Sequence, residues 1–183
     1  TIWAATTEGL HSFVGSTWVR ATLPWKSSEP ILTVYADRSG GIWVGSAVGL
    51  LHRPVNDVFR PVAGVGPRVF GVIGVTEDRN GHIWVTDQFW GFRQLSGVTP
   101  DHHRQQGTGR SVFPDGNGHV WVATIGQGLW RVRQDFSDVG IETSTVETGL
   151  VDDDVTTVLK DRDENLWVGT RQGLNLFTPH RVI

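Results

Sequence analysis

The residues best suited to recognising a polar ligand are concentrated in the middle of the chain. Two adjacent histidines and an arginine stand at 102–104, and a glutamine followed by two aromatic residues precedes them at 88–90. Guanidinium groups, amides and an aromatic platform together suit a hydroxyl-rich or anionic ligand such as an acidic sugar. The predicted ligand-binding residues are Gln88, Phe89, Trp90, His102, His103, Arg104, Arg110, Gln127, Arg171 and Gln172. The alternative is that the aromatic pair covers the outer surface of the fold and the histidine loop is solvated.

Other kinds of chemistry have weaker support. Three successive aspartates at 152–154 resemble part of a calcium site, but EF-hand spacing is absent and a solvated turn is the simpler interpretation. Adjacent histidines on an extended loop point apart, and there is no cysteine to complete a zinc shell. No nucleophile motif is present, so no catalytic residue, metal or cofactor is predicted. A histidine acting as a general base remains the alternative.

These residues lie within a repeated pattern. Tryptophans recur about every 40 residues, a period typical of propeller arrays. Five of the nine tryptophans form this series. An aspartate stands six residues before each of the last four members of the series, and a glycine follows each member by six or seven residues. The repeated residues are Trp3, Trp43, Trp84, Trp121 and Trp167, with Asp37, Asp78, Asp115 and Asp161. Because they hold fixed positions, we expect the tryptophans to pack between repeats and the aspartates to cap turns.

Each repeat is predicted to form a set of short antiparallel strands. Segments such as "ILTVYA" and "VTTVLK" are rich in β-branched residues and predict strands buried on both sides. The aspartate turn, the tryptophan strand and a Gly-Leu strand follow, and "STWVRATL", "DVFRPVA" and "GIETSTV" supply a fourth strand. The fold class is therefore all-β, a β-propeller of about five four-stranded antiparallel blades. The blades are expected at approximately 1–25, 30–63, 68–98, 110–146 and 154–183, forming a single propeller domain or a partial one.

The terminal repeats are incomplete in different ways. The first lacks the innermost strand and its aspartate turn, and the last has only three strands, so neither supplies what the other needs. Open sheet edges are avoided in natural β proteins. We therefore expect part of a larger ring, or completion by another chain such as a second copy. A closed five-bladed ring with two three-stranded blades is the alternative.

Composition excludes some partners. A net charge of -3 without a basic stripe argues against nucleic-acid binding. No apolar run approaches the roughly 20 residues that span a bilayer, so no membrane segment is predicted in this chain. The absence of cysteine is compatible with oxidising and reducing compartments alike.

The last repeat carries a family resemblance. "ETGLVDDDVTTVLKDRDENLWVGTRQGLNLF", Glu147 to Phe177, resembles the two-component regulator propeller repeat of bacterial sensor proteins, although Glu164 stands where glycine is commonest. Streptogramin lyases of the virginiamycin B type share a similar pattern. The sensor resemblance implies a periplasmic or extracellular sensing domain whose ring is typically seven-bladed, and for which saccharides are frequent ligands.

The sequence is therefore compatible with three functions. The leading prediction is a non-catalytic, ligand-sensing propeller segment of a bacterial two-component-type sensor, binding a saccharide or another polar or anionic molecule. The second is a propeller lyase with His102 or His103 as base and a bound divalent ion. The third is a structural assembly module that another chain completes.

Overall fold

The protein is built almost entirely from β-strands. The computed structural model describes residues 1–25, 29–62, 71–87, 91–95, 109–134 and 141–179. In these segments the chain forms seventeen strands and one short 3₁₀ turn, Val146–Thr148. No helix within them is long and apolar enough to cross a membrane.

The strands form five consecutive antiparallel sheets, here called blades 1 to 5. Blade 1 contains β1 (Ile2–Thr6), β2 (Gly9–Val14) and β3 (Thr17–Arg20). Blade 2 contains β4 (Ile31–Ala36), β5 (Ile42–Ser46), β6 (Gly49–Arg53) and β7 (Arg60–Pro61). Blade 3 contains β8 (Val72–Glu77), β9 (Ile83–Asp87) and β10 (Gly91–Gln94). Blade 4 contains β11 (Gly109–Pro114), β12 (His119–Thr124), β13 (Leu129–Arg133) and β14 (Glu142–Ser144). Blade 5 contains β15 (Val155–Lys160), β16 (Leu166–Thr170) and β17 (Leu174–Phe177). The prediction of an all-β fold made of antiparallel propeller blades is confirmed.

Each of blades 1 to 4 packs its tryptophan face against the blade that follows it. Trp3 packs with residues of blade 2, Trp43 with blade 3, Trp84 with blade 4 and Trp121 with blade 5. The large residue after the turn glycine lies on the same face and is nearly inaccessible in each case, at Leu10, Leu50, Phe92 and Leu129. Burial of one such side chain stabilises a fold by about 1.5–3 kcal/mol. The contacts between successive blades therefore form the core.

The prediction that "VTTVLK" forms a strand buried on both sides is wrong. Val155 and Val158 of β15 are buried against blade 4, but Leu159 is 59% exposed. Leu159 lies on the tryptophan face of blade 5, and no described segment covers that face. The equivalent strand "ILTVYA" also has an exposed side chain, Leu32, at the position of a β-bulge.

The four inner strands β4, β8, β11 and β15 share this bulge near their first residue. In β11 the pairing passes from Gly109 opposite Thr124 to Ser111 opposite Ala123, which leaves Arg110 as the extra residue. A bulge removes one residue from the ladder and changes the direction of its side chain. The sheet therefore presents Arg110 at the edge where the inner strands begin.

The opposite edge carries the aspartate turns. Gly40, Gly81 and Gly118 stand three residues after their aspartates and adopt φ values of 86°, 84° and 83°. Glu164 occupies the same position in blade 5 with φ 68°. The turn thus requires the left-handed conformation, which glycine adopts at little cost and glutamate does not.

Candidate functional site

Four of the predicted ligand-binding residues lie at one edge of blades 4 and 5. Arg110 is in the bulge of β11, Gln127 is in the loop between β12 and β13, and Arg171 and Gln172 follow β16. This is the edge where inner strands begin and tryptophan strands end. Gln127, Arg171 and Gln172 are exposed, whereas Arg110 is half-buried.

Asp154, just before β15, connects these residues. Its carbonyl oxygen accepts a hydrogen bond from the backbone N–H of Arg171 at 2.9 Å. One of its carboxylate oxygens, Oδ1, lies 3.4 Å from Nη2 of Arg110. The carbonyl of Asp153 accepts from the N–H of Gly128, the neighbour of Gln127, at 2.9 Å. Sequence reasoning did not include Asp154 in the ligand-binding set, although it had noted the aspartate run.

The three successive aspartates have separate structural roles. Oδ1 of Asp152 accepts from the N–H of Asp154 at 2.9 Å, and Oδ1 of Asp153 accepts from the N–H of Val146 at 2.7 Å. Asp154 instead faces Arg110. In the part of the chain that is described, no group of three or more histidine, aspartate or glutamate side chains is arranged to hold a metal ion. The aspartates therefore shape the loop.

The pairing of Arg110 with Asp154 is incomplete. Nε of Arg110 and Oδ1 of Asp154 are both buried, and neither makes a hydrogen bond to a described residue. The 3.4 Å between Nη2 and Oδ1 is long for a charge-assisted hydrogen bond. An unsatisfied buried donor or acceptor costs about 1–3 kcal/mol. The site therefore holds a buried donor and a buried acceptor that the described residues leave unsatisfied.

Blade 3 places a different ion pair at this edge. The last residue of the tryptophan strand is Asp87, which is buried and accepts a hydrogen bond from Nη2 of Arg93 at 2.9 Å. The equivalent residues of the other blades are hydroxyl residues, Thr6, Ser46, Thr124 and Thr170. Six of the predicted ligand-binding residues follow in the chain and lie outside the described residues: Gln88, Phe89, Trp90, His102, His103 and Arg104.

The aspartate turns at the opposite edge contain a hydrogen bond that sequence reasoning missed. In blades 2, 3 and 5 the aspartate Oδ1 accepts two or more hydrogen bonds within the turn, and Oδ2 accepts from the indole Nε1 of the blade tryptophan. The indole distances are 2.8 Å for Trp43 to Asp37, 3.0 Å for Trp84 to Asp78 and 2.8 Å for Trp167 to Asp161. The six-residue spacing is the sequence feature that this contact explains.

These hydrogen bonds hold the aspartates in the charged form. Burial raises the pKa of Asp37 and Asp78, but the hydrogen bonds that each carboxylate accepts outweigh burial and place the pKa below its ordinary value. For Asp161 the hydrogen bond from Trp167 is the largest influence, and it lowers the pKa. Ionised, hydrogen-bonded aspartates in turns have a structural role.

Blade 4 departs from this arrangement. Nη2 of Arg131 lies 3.4 Å from Oδ2 of Asp115, and the guanidinium carbon lies 5.5 Å from the ring centre of Trp121. A cavity of about 380 Å³ opens beside them, between blades 4 and 5, and Lys160 and Phe177 line its other side. Of the predicted ligand-binding residues that the structure describes, none lines this cavity.

Comparison with known proteins supports the propeller assignment. The family model for the two component regulator propeller matches residues 149–172. No curated protein matches the chain significantly. The extracellular domain assigned to a hybrid two component system of B. thetaiotaomicron has a TM-score of 0.76 at 20% identity, over 97% of this chain and 27% of that one. PorZ, a surface component of the type-IX secretion system of Porphyromonas gingivalis, has a TM-score of 0.72 at 21% identity, over 96% of this chain and 30% of that one.

A lyase has the same fold at lower identity. Virginiamycin B lyase from Staphylococcus aureus has a TM-score of 0.69 at 13% identity, over 98% of this chain and 67% of that one. At these identities the likeness shows the fold alone, and the chain spans less than a third of the length of the first two structures. The resemblance predicted from the sequence is confirmed, because residues 149–172 carry a two-component regulator propeller repeat.

Proposed function

We propose that the chain is a ligand-sensing propeller segment of a bacterial two-component-type sensor, located in the periplasm or outside the cell and without catalytic activity. Its ligand is a saccharide or another polar or anionic molecule. The observation that carries this proposal is the unsatisfied pair of Arg110 Nε and Asp154 Oδ1 at the loop edge of blades 4 and 5.

The chemistry of this pair suits hydroxyl groups. A sugar hydroxyl donates one hydrogen bond and accepts another, so a single group that reaches the pair beside the 38% exposed side chain of Arg110 can satisfy a guanidinium donor and a carboxylate acceptor. Arg171 and Gln172 are exposed next to the pair and supply further donors for a second hydroxyl or for a carboxylate. Trp90 and Arg104 lie outside the described residues, and their roles as a stacking surface and a second guanidinium stay predictions from the sequence.

The fold supports this location. The loops that begin inner strands and end tryptophan strands are carried by a rigid stack of sheets, and loops on rigid scaffolds are the usual place for binding. The extracellular sensor domain with the same fold supports the sensing role, as does the family repeat in blade 5.

Isothermal titration tests the proposal with a panel of defined sugars. Glucuronate and galacturonate serve as acidic probes, and glucose and galactose as their neutral counterparts. For a sugar that binds, Arg110→Ala should weaken binding by about tenfold or more, the loss expected for a hydrogen bond to a charged group. Arg162→Ala is the matched control, because Arg162 is an exposed arginine near the other end of β15. Binding that survives Arg110→Ala unchanged, or fails equally in both variants, would contradict the site.

A further inference from the structure

Two aspartate turns contain an exposed asparagine followed by a glycine. Asn80 precedes Gly81 in blade 3, and Asn117 precedes Gly118 in blade 4. Both asparagines donate their backbone N–H to Oδ1 of the turn aspartate, at 2.9 Å from Asn80 and 2.6 Å from Asn117. A glycine nitrogen can attack the side-chain amide of a preceding asparagine with little hindrance, because glycine has no side chain to shield it. The two turns therefore carry the same reactive pair.

The two turns differ in the hydrogen bond that closes them. In blade 3 the backbone N–H of Gly81 donates to the carbonyl oxygen of Asp78 at 3.1 Å, and the turns of blades 2 and 5 make the equivalent hydrogen bond at 3.0 and 3.3 Å. In blade 4 the carbonyl of Asp115 instead accepts from Nζ of Lys160 at 3.3 Å, and no described residue accepts from the N–H of Gly118. This glycine is exposed, so its nitrogen faces water.

The residue after the aspartate accounts for the different turn. In blade 4 this residue is Gly116, which adopts a φ of 77°. The arginines at the same position in the other turns, Arg38, Arg79 and Arg162, do not adopt a positive φ. The guanidinium of Arg79 lies where a Cβ on Gly116 would be, so the packing of blade 3 on blade 4 favours a glycine here. The altered turn is therefore a feature of the folded protein.

We propose that Asn117 is a site of spontaneous deamidation in the folded protein, whereas Asn80 is protected. The backbone nitrogen of Gly118 gives its proton to solvent and forms a bond to Cγ of Asn117. The bond between Cγ and the side-chain nitrogen then breaks, and ammonia leaves with a proton taken from solvent. Water opens the resulting cyclic imide by adding its hydroxyl to either carbonyl carbon, which gives aspartate or isoaspartate. No oxidant or reductant is needed.

The reaction adds a charge to the cavity between blades 4 and 5. Asn117 lines this cavity of about 380 Å³, and the charged residues around it are Arg131, Lys160, Asp115 and Glu164. These two cations and two anions balance, so a carboxylate at position 117 makes the charge of the lining negative. An isoaspartate would also lengthen the backbone of the turn by one methylene. The modification therefore changes the charge of the cavity and the shape of the turn after β11.

Peptide mapping by mass spectrometry compares the two asparagines in one sample. The native 183-residue chain is incubated at mildly alkaline pH, and trypsin then places the asparagines in separate peptides, 80–93 and 111–131. Digestion in isotope-labelled water marks any deamidation that occurs after the chain has unfolded. Opening one turn hydrogen bond slows a reaction by up to about tenfold, so Asn117 should deamidate about fivefold faster than Asn80, or more.

Two controls separate the effect of the fold from intrinsic reactivity. Both asparagines are followed by Gly-His, so in urea their rates should be equal. In Asn117→Gln the longer side chain forms an imide far more slowly, so the acidic form that ion exchange resolves from the intact protein should accumulate more slowly. Equal rates at Asn80 and Asn117 in the folded chain would overturn the proposal. So would a difference that persists in urea, or an acidic form that accumulates at the native rate in Asn117→Gln.

Discussion

The hydrogen bond between the turn aspartate and the blade tryptophan should contribute measurably to stability in blade 3. Asp78 is 1% exposed and Trp84 is fully buried. Oδ1 of Asp78 accepts from the N–H groups of Asn80 and His82 at 2.9 and 3.0 Å, and Oδ2 accepts from Nε1 of Trp84 at 3.0 Å. In Asp78→Asn the amide oxygen can retain the two backbone bonds. The amide nitrogen then faces the indole N–H, so two donors meet and the indole loses its acceptor.

The expected cost follows from that geometry. An unsatisfied buried donor reduces the free energy of unfolding by about 1–3 kcal/mol, so Asp78→Asn should lower it by about 2 kcal/mol. Asp161→Asn is the matched control. Its carboxylate accepts the equivalent bonds from Asp163, Asn165 and Trp167, but Trp167 is only half-buried and water can replace the lost acceptor. The loss in blade 5 should therefore be clearly smaller.

Urea unfolding followed by circular dichroism, extended to a double-mutant cycle, separates this effect from general disruption of the turn. Trp84→Phe removes the indole N–H, and its smaller ring causes a separate loss in the free energy of unfolding through weaker packing. If donor–donor repulsion is the cause, Asp78→Asn should cost about 1 kcal/mol less in the Trp84→Phe background than in the native one. Costs that add within about 0.3 kcal/mol would refute the reasoning, as would equal losses from Asp78→Asn and Asp161→Asn.

Three other perturbations follow from the same geometry. The pKa values of the turn aspartates in blades 2, 3 and 5 are lowered, so the stability they add is complete above the ordinary value of 3.8 and is lost as the pH falls through the folded values. The urea concentration at the unfolding midpoint should therefore decrease as the pH is lowered below about 4. Gly45→Ala should cost about 1–3 kcal/mol, since a Cβ there would lie 2.6 Å from the carbonyl oxygen of Val72 in blade 3; a thermal midpoint equal to the native one would contradict this. Glu164→Gly should add up to about 1 kcal/mol in urea unfolding by relieving its positive φ, and a loss of stability would show that the contact of Glu164 with Lys160 matters more.

Much of the fold was predictable because it repeats. "ILTVYA" and "VTTVLK" coincide with β4 and β15, and the fourth strands predicted for blades 2 and 4 are present as β7 and β14. Because the spacing repeats, equivalent positions in the blades can be assigned from the sequence alone, before any contact between blades is known. Contacts themselves were not predictable in the same way. The exposure of Leu159 depends on whether a neighbour covers its face, which the composition of the strand does not encode.

The contact between Arg110 and Asp154 in the candidate site could not be predicted from the local sequence. Arg110 reaches Asp154 because a β-bulge removes Arg110 from the ladder of blade 4 and because the loop of blade 5 runs beside it. The same bulge occurs in all four inner strands. Leu32, Ile73 and Thr156 occupy in β4, β8 and β15 the position that Arg110 occupies in β11, so the backbone conformation is shared and only the side chain differs. A ligand site can therefore change with one residue per blade while the packing that holds the blades stays the same. By this argument Thr156→Arg, which puts an arginine at the bulge of blade 5, should alter sugar binding. It also removes the hydrogen bond that Oγ1 of Thr156 donates to the carbonyl of Gly169 at 3.0 Å, so the free energy of unfolding should fall by about 1 kcal/mol. A much larger loss of stability would show that the bulge position is part of the core.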